Sequence, residues 1–255
     1  MKMRAAPLRL LALLTLVGAL LAPASPGWGH GDELRDRPPP VQADFVPPAP
    51  GTYTLYPIMR APSGVVVDLD GRSRPLAEFT TGKITLLSFV YTRCRDAWGC
   101  PLAYRVFDAV GAAVERSPAL RSRVRLVTLS FDPGHDTPTV MRQYAGEQAA
   151  RGVDWRFLTT RSEHAILPLL EGFGQDVRAA GTGRPDEAGQ LTHLLKVFLI
   201  DPRGVVREIY STAYLYPEVV VADIETLRLE SASREKAPAS RAAGKRLTPG
   251  ERLTR

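Results

Sequence analysis

Residues 83–91 read Lys-Ile-Thr-Leu-Leu-Ser-Phe-Val-Tyr, and residues 124–131 read Val-Arg-Leu-Val-Thr-Leu-Ser-Phe. Nearly unbroken apolar runs of this length, rich in β-branched and aromatic residues, suit strands buried on both faces. A crossover between two parallel strands needs a dozen or more residues. Residues 100–124 supply it, with a helical pattern from Cys100-Pro101 to about Arg116. These two runs and the helix between them confine the chain to a sheet with helices on its faces.

The alternation continues. Asp136-Thr137-Pro138 is a helix start with proline at the first position, and the pattern runs to about Arg151. Trp155 to Leu158 is a short strand, Ser162 to Phe173 a helix, and 181–189 a polar loop. Leu194 to Ile200 and Val205 to Tyr210 are strands joined by the turn Asp201-Pro-Arg-Gly204. Pro217 to Glu230 is the last helix. Upstream, Val65-Val66-Val67 followed by Asp70-Gly71 predicts a hairpin, and 75–79 one helical turn. The expected fold class is α/β, a thioredoxin-like domain over 52–230 with a central mixed β-sheet flanked by helices. The layout strand, cysteine-bearing loop, helix, strand is what suggests it.

The flanks are of a different kind. Lys2, Arg4 and Arg9 precede an apolar run from Leu10 to Ala22, and Ala22-Pro23-Ala24 offers small residues for cleavage. Residues 1–24 therefore read as a secretory signal peptide. An uncleaved membrane anchor is the alternative, although the run is shorter than the ~20 residues of a comfortable span. Residues 25–51 hold Pro38-Pro39-Pro40 and Pro47-Pro48 and read as a linker, with order expected near Tyr53. Residues 231–255 read as a disordered basic tail that is free to touch anionic lipid. The net charge of +6 resides in these ends, which carry +3 (1–24) and +5 (231–255), so residues 25–230 carry −2. That distribution argues against a basic nucleic-acid groove on the body. Export places the body in the periplasm, soluble or anchored, where disulfides persist. A monomer is expected.

Two cysteines exclude a zinc site made of cysteine alone within one chain. Cys94 lies just past the first strand, and Cys100 falls at the start of the following helix. There unpaired amides and the helix dipole favour a thiolate. Arg95, Asp96, Ala97, Trp98 and Gly99 separate the pair, and Gly99 helps the loop fold back. Three roles are open: a structural disulfide, a redox pair, or metal ligands. For a redox pair, Cys94 is the attacking thiol if exposure decides and Cys100 if the helix terminus decides. His193 directly precedes a strand, and taken singly none of His30, His135, His164 and His193 is persuasive. Two thiolates with one imidazole form a soft three-coordinate set that suits copper, above all Cu(I).

Four segments in order resemble the Sco/SenC family. They are Leu87-Ser-Phe-Val-Tyr-Thr-Arg-Cys94 with Cys100-Pro101 behind it; Leu129-Ser-Phe-Asp-Pro-Gly-His-Asp-Thr-Pro138; Thr192-His193; and Phe198-Leu-Ile-Asp-Pro-Arg-Gly204. The resemblance covers about residues 50–230. It implies a thioredoxin-like fold, membrane-tethered or periplasmic, with a copper ion held by Cys94, Cys100 and His193. It further implies service in copper-site assembly of cytochrome oxidase, with a copper-accepting oxidase subunit or another periplasmic thiol protein as partner. Some members look more like thiol-disulfide reductases, a role that would use Cys94 and Cys100 as a disulfide pair. The family's cysteines are usually separated by three residues, whereas five separate them here. Asp132 is expected near the cysteine loop, orienting an imidazole or interacting with a cysteine, with a turn residue before Pro133 as the alternative. Asp136 is expected to cap the helix that follows it.

Overall fold

A computed structural model describes residues 41–179 and 191–236. In chain order the strands and helices are β1 (Met59–Arg60), β2 (Val65–Val67), β3 (Ser73–Pro75), α1 (Ala77–Thr80), β4 (Ile84–Val90), α2 (Cys100–Arg116), α3 (Pro118–Arg121) and β5 (Val124–Ser130). They continue with α4 (Pro138–Ala145), β6 (Asp154–Leu158), α5 (Glu163–Gly172), β7 (Val177–Ala179), β8 (Leu191–His193), β9 (Val197–Ile200), β10 (Val205–Tyr210) and α6 (Pro217–Lys236). The main sheet has the order β1-β10-β9-β4-β5-β6. β4, β5 and β6 are parallel, while β9, β10 and β1 add on antiparallel. This is the mixed α/β sheet expected from the two apolar runs.

Every residue of β4 is buried. Successive side chains of a strand point to opposite faces, and the two faces have separate cores. Leu86 and Leu126 join Leu102, Val106 and Phe107 of α2 and Val220 and Ile224 of α6. Leu87, Phe89 and Leu129 join Ile166 and Leu169 of α5 and Phe79 beside the β2–β3 hairpin. Leu126 is fully buried at the centre of the first layer. Leu126→Ala is expected to lower stability by about 3 kcal/mol, through lost burial and the cavity left behind. Urea unfolding at unchanged m-value checks this.

Several boundaries differ from the sequence reading. The helix expected to reach Arg151 is α only to Ala145, because Gly146 takes φ +52° and the chain tightens into a 3-10 turn over Gly146–Ala150. β9 begins at Val197 rather than Leu194, whose carbonyl is taken by the Gln175 amide at 2.8 Å. The β7–β8 pair was not anticipated; its strands are too short to show a period.

α6 runs six residues into the segment read as tail. Ser231 and Ser233 hydroxyls donate to Leu227 and Leu229 carbonyls, and Arg234 pairs with Glu230. Residues 41–51 have no regular structure, yet they lie on the body. The Phe45 ring meets Tyr216 edge-on at 5.8 Å, and the Gly51 amide donates to Thr226 Oγ1 at 3.0 Å. The export segment 1–24, the linker to residue 40, the polar loop 181–189 and the tail from 237 lie outside the described residues. No helix among the described residues is long and apolar enough to cross a membrane.

Candidate metal centre

The carboxyl ends of β4 and β5 lie side by side, with Val90 opposite Ser130 in register. Ligand sites of open α/β sheets form at this edge. The loop leaving β4 carries Cys94, and the first residue of α2 is Cys100. β9 is antiparallel to β4, so the chain entering it passes the same edge and brings His193 there.

The five-residue loop closes by local bonds. Asp96 Oδ1 accepts from the Trp98 amide at 3.0 Å, and the Asp96 carbonyl accepts from the Gly99 amide at 2.9 Å. Gly99 has φ −95° and ψ −125°, outside the helical and extended regions, a conformation that glycine allows. It also supplies space, since a Cβ there would lie 3.2 Å from Cys94 Sγ.

The loop brings Cys94, Cys100 and His193 together, with one ligand atom of each within 4.8 Å of the others. Cys100 Sγ is 3.6 Å from His193 Nε2. The other imidazole nitrogen, Nδ1, is buried without a hydrogen-bond partner. The ring packs against Phe131 at 4.8 Å and Tyr91 at 6.3 Å. Tyr91 also ties β8 to the exit of β4, its hydroxyl donating to the Leu191 carbonyl at 3.1 Å.

The two thiols are unlike. Cys100 is 2% exposed and Cys94 is half-buried. The Cys100 thiol donates to Cys94 Sγ, and this bond, helped by His193 and by the amides of Cys100 and Asp96, holds the Cys94 thiol down at about 4. Cys100, sharing its proton with Cys94 and deeply buried, is pushed well up. The amide at the start of α2 favours the thiolate form of both sulfurs, as expected of a helix terminus. Of the two sulfurs the sequence leaves open, the half-buried Cys94 is the one held ionised, while burial opposes charge on Cys100.

Asp136 is not a helix cap. Thr137 caps α4, accepting from the Val140 amide, and Asp136 is fully buried. Its carboxylate accepts from the Thr92 amide (3.0 Å), Thr92 Oγ1 (2.5 Å) and Ser130 Oγ (2.6 Å), and lies 2.9 Å from His135 Nδ1. It binds the exit of β4 to the exit of β5, two residues before Cys94. Asp132 joins the same loops through Arg93, whose Nη2 lies 2.8 Å from its carboxylate. Its link to the cysteine loop runs through that guanidinium. Asp132, His135 and Asp136 form a second group of ligand type, and these bonds account for it. Asp136→Ala strands the buried Ser130 hydroxyl and the half-buried Thr92 amide and hydroxyl, and is expected to lower stability by about 3 kcal/mol. Chemical denaturation with free thiols protected measures it. Tyr91, Phe131 and Asp136 were missed as site residues. The signal available was that an aromatic residue follows each buried strand run.

The SCO1/SenC family profile matches residues 65–228. A SCO1 protein homolog of Bacillus subtilis (strain 168) is 25% identical over 159 residues, 62% of this chain and 77% of that protein. Apo Sco1 of Thermus thermophilus superposes with TM-score 0.55 at 26% identity, covering 69% of this chain and 95% of that one. Copper-bound ScoI of Arabidopsis thaliana superposes with TM-score 0.55 at 19% identity, covering 67% and 98%.

Proposed function

The chain belongs to the SCO1/SenC family, and from that premise we propose that it is an exported copper metallochaperone. Its role is assembly of a copper site in cytochrome c oxidase or a related respiratory enzyme. The observation that carries this reading is the convergence of two sulfurs and one imidazole within 4.8 Å. Two soft donors and one borderline donor suit Cu(I), whereas zinc usually wants a fourth ligand and calcium or magnesium wants oxygens. The copper in Arabidopsis ScoI supports the same cargo here. Export rests on the signal pattern of residues 1–24.

The unlike thiols suit receipt and release. Cys94, more exposed and already ionised, is the first to meet an incoming ion. Cys100 and His193, held by Tyr91 and Phe131, complete the set from the buried side. A partner thiolate displaces the ligands in turn, Cys94 first because it is the one in reach. The recipient is then a respiratory oxidase subunit or another exported thiol protein. Asp132, through Arg93, keeps the cysteine loop at the β5 exit and positions Cys94.

The test is metal content with thiol counting on the reduced full-length chain after copper loading and desalting. One copper per chain with Cys94 and Cys100 both protected from alkylation is expected. A metal-free chain with both thiols reactive would contradict the reading. The same pair of unlike thiols favours thiol-disulfide exchange as the second reading, with Cys94 as attacking thiol. A reduction potential below about −300 mV would mark an inert bridge and exclude exchange.

A further inference from the structure

At the edge of the main sheet opposite the cysteine loop, a cavity of about 270 Å3 opens between the start of β4, the β9–β10 turn and the last turns of α6. Five of its lining residues are arginines: Arg123, Arg203, Arg207, Arg228 and Arg234. Two are acidic, Asp201 and Glu230. Each acid is already shared. Asp201 accepts from Arg203 at 2.7 Å and Arg207 at 3.1 Å, and Glu230 accepts from Arg207 at 2.9 Å and also from Arg234. Arg228 pairs with Glu225, which lies outside the lining. Counting Glu225, five guanidiniums stand against three carboxylates here, an excess of two.

Crowded like charges repel, and a pocket wall of low dielectric strengthens both that repulsion and the pull on an anion. The guanidinium fork matches two oxygens of a phosphate at once. Arg207 is the buried member, fixed by the Leu55 carbonyl as well as the two acids. Arg203 and Arg234 have side chains 56% and 53% exposed, so they stand where a ligand enters. The volume falls below the roughly 300–1,000 Å3 of sites for drug-sized ligands, which suits one phosphate group on a small substituent.

We infer that this cavity binds a phosphate group, carried by a phospholipid headgroup or free in solution. The site is separate from Cys94, Cys100 and His193, and the inference does not rest on copper.

The test is calorimetric titration of the reduced full-length chain with inorganic phosphate at constant ionic strength. One site per chain is expected, weakened about ten-fold by Arg203→Gln and by Arg234→Gln and about a hundred-fold by both. Arg72→Gln, which removes an exposed ion pair elsewhere, should leave binding unchanged. Both targets are exposed, so the variants should melt within a few degrees of wild type; Arg203→Lys with Arg234→Lys keeps the charge and should lose less. No phosphate uptake by wild type, or equal uptake by wild type and the double glutamine variant, would overturn the inference. Co-sedimentation with phosphatidylcholine vesicles, with and without phosphatidic acid, separates the sources. Loss of the phosphatidic-acid-dependent fraction in the double variant assigns the lipid headgroup. Unchanged vesicle binding with lost inorganic phosphate uptake assigns the free anion.

Discussion

Cys94→Ser or Cys100→Ser is expected to weaken Cu(I) binding by more than about 100-fold. Loss of a residue that merely orients a metal ligand already costs about 10- to 100-fold. A serine hydroxyl in place of a thiolate also replaces a soft donor by a hard one, which Cu(I) disfavours. His193→Ala removes a borderline nitrogen while leaving both sulfurs, so its effect should be smaller than that of either cysteine. Anaerobic competition against a Cu(I) chelator measures all three. The ordering matters as much as the size. If His193→Ala costs more than either serine variant, the sulfurs are not the main anchors and the account of the site is wrong.

The second large effect is in the pH profile of thiol alkylation on the reduced, metal-free chain. Cys94 is held down at about 4 from an ordinary value of 9.0. A lowered value means the thiolate is present above pH 4 and is lost only as pH falls through that point. Between pH 5.5 and 7.5 the Cys94 alkylation rate should therefore change by less than about two-fold. An ordinary thiol gains about 100-fold over the same two units, because its thiolate fraction rises ten-fold per unit below its pKa. Cys100→Ala removes the side-chain donor to Cys94, and a steeper profile should return. The absolute rate of Cys94 will not be extreme, since nucleophilicity falls along with pKa. Peptide mapping after timed alkylation separates the two positions. A hundred-fold rise for Cys94 across that window would show that it is an ordinary thiol.

The fold was legible where a single strand or helix carried its own signal. The runs at 83–91 and 124–131 became β4 and β5, and Cys100 to Arg116 became α2 without adjustment. Such signals are local: full burial leaves no polar face, and proline at the start of a helix costs nothing. The misreadings have tertiary causes. Gln175 takes the Leu194 carbonyl from across a loop, so β9 starts late. Residues 41–51 look like free linker by composition, but Phe45 finds Tyr216.

At the site, the four-segment resemblance pointed to Cys94, Cys100 and His193, and the fold places them together. Which sulfur carries the charge could not be read from the chain. That depends on which sulfur donates to the other and on the deep burial of Cys100, which the closed loop and the surrounding core set together. Asp136 shows the same limit. Its place before Thr137-Pro138 suggests a cap, whereas the carboxylate turns inward to Thr92 and Ser130, residues brought near only by the β4–β5 pairing.

The most direct measurement is copper K-edge X-ray absorption on the Cu(I)-loaded full-length chain and its His193→Ala variant. The account predicts two sulfur scatterers and one nitrogen scatterer per copper in the wild-type chain, with the nitrogen contribution lost from the variant. A spectrum that is the same in both, or that shows fewer than two sulfurs in the wild-type chain, would contradict a site built from Cys94, Cys100 and His193.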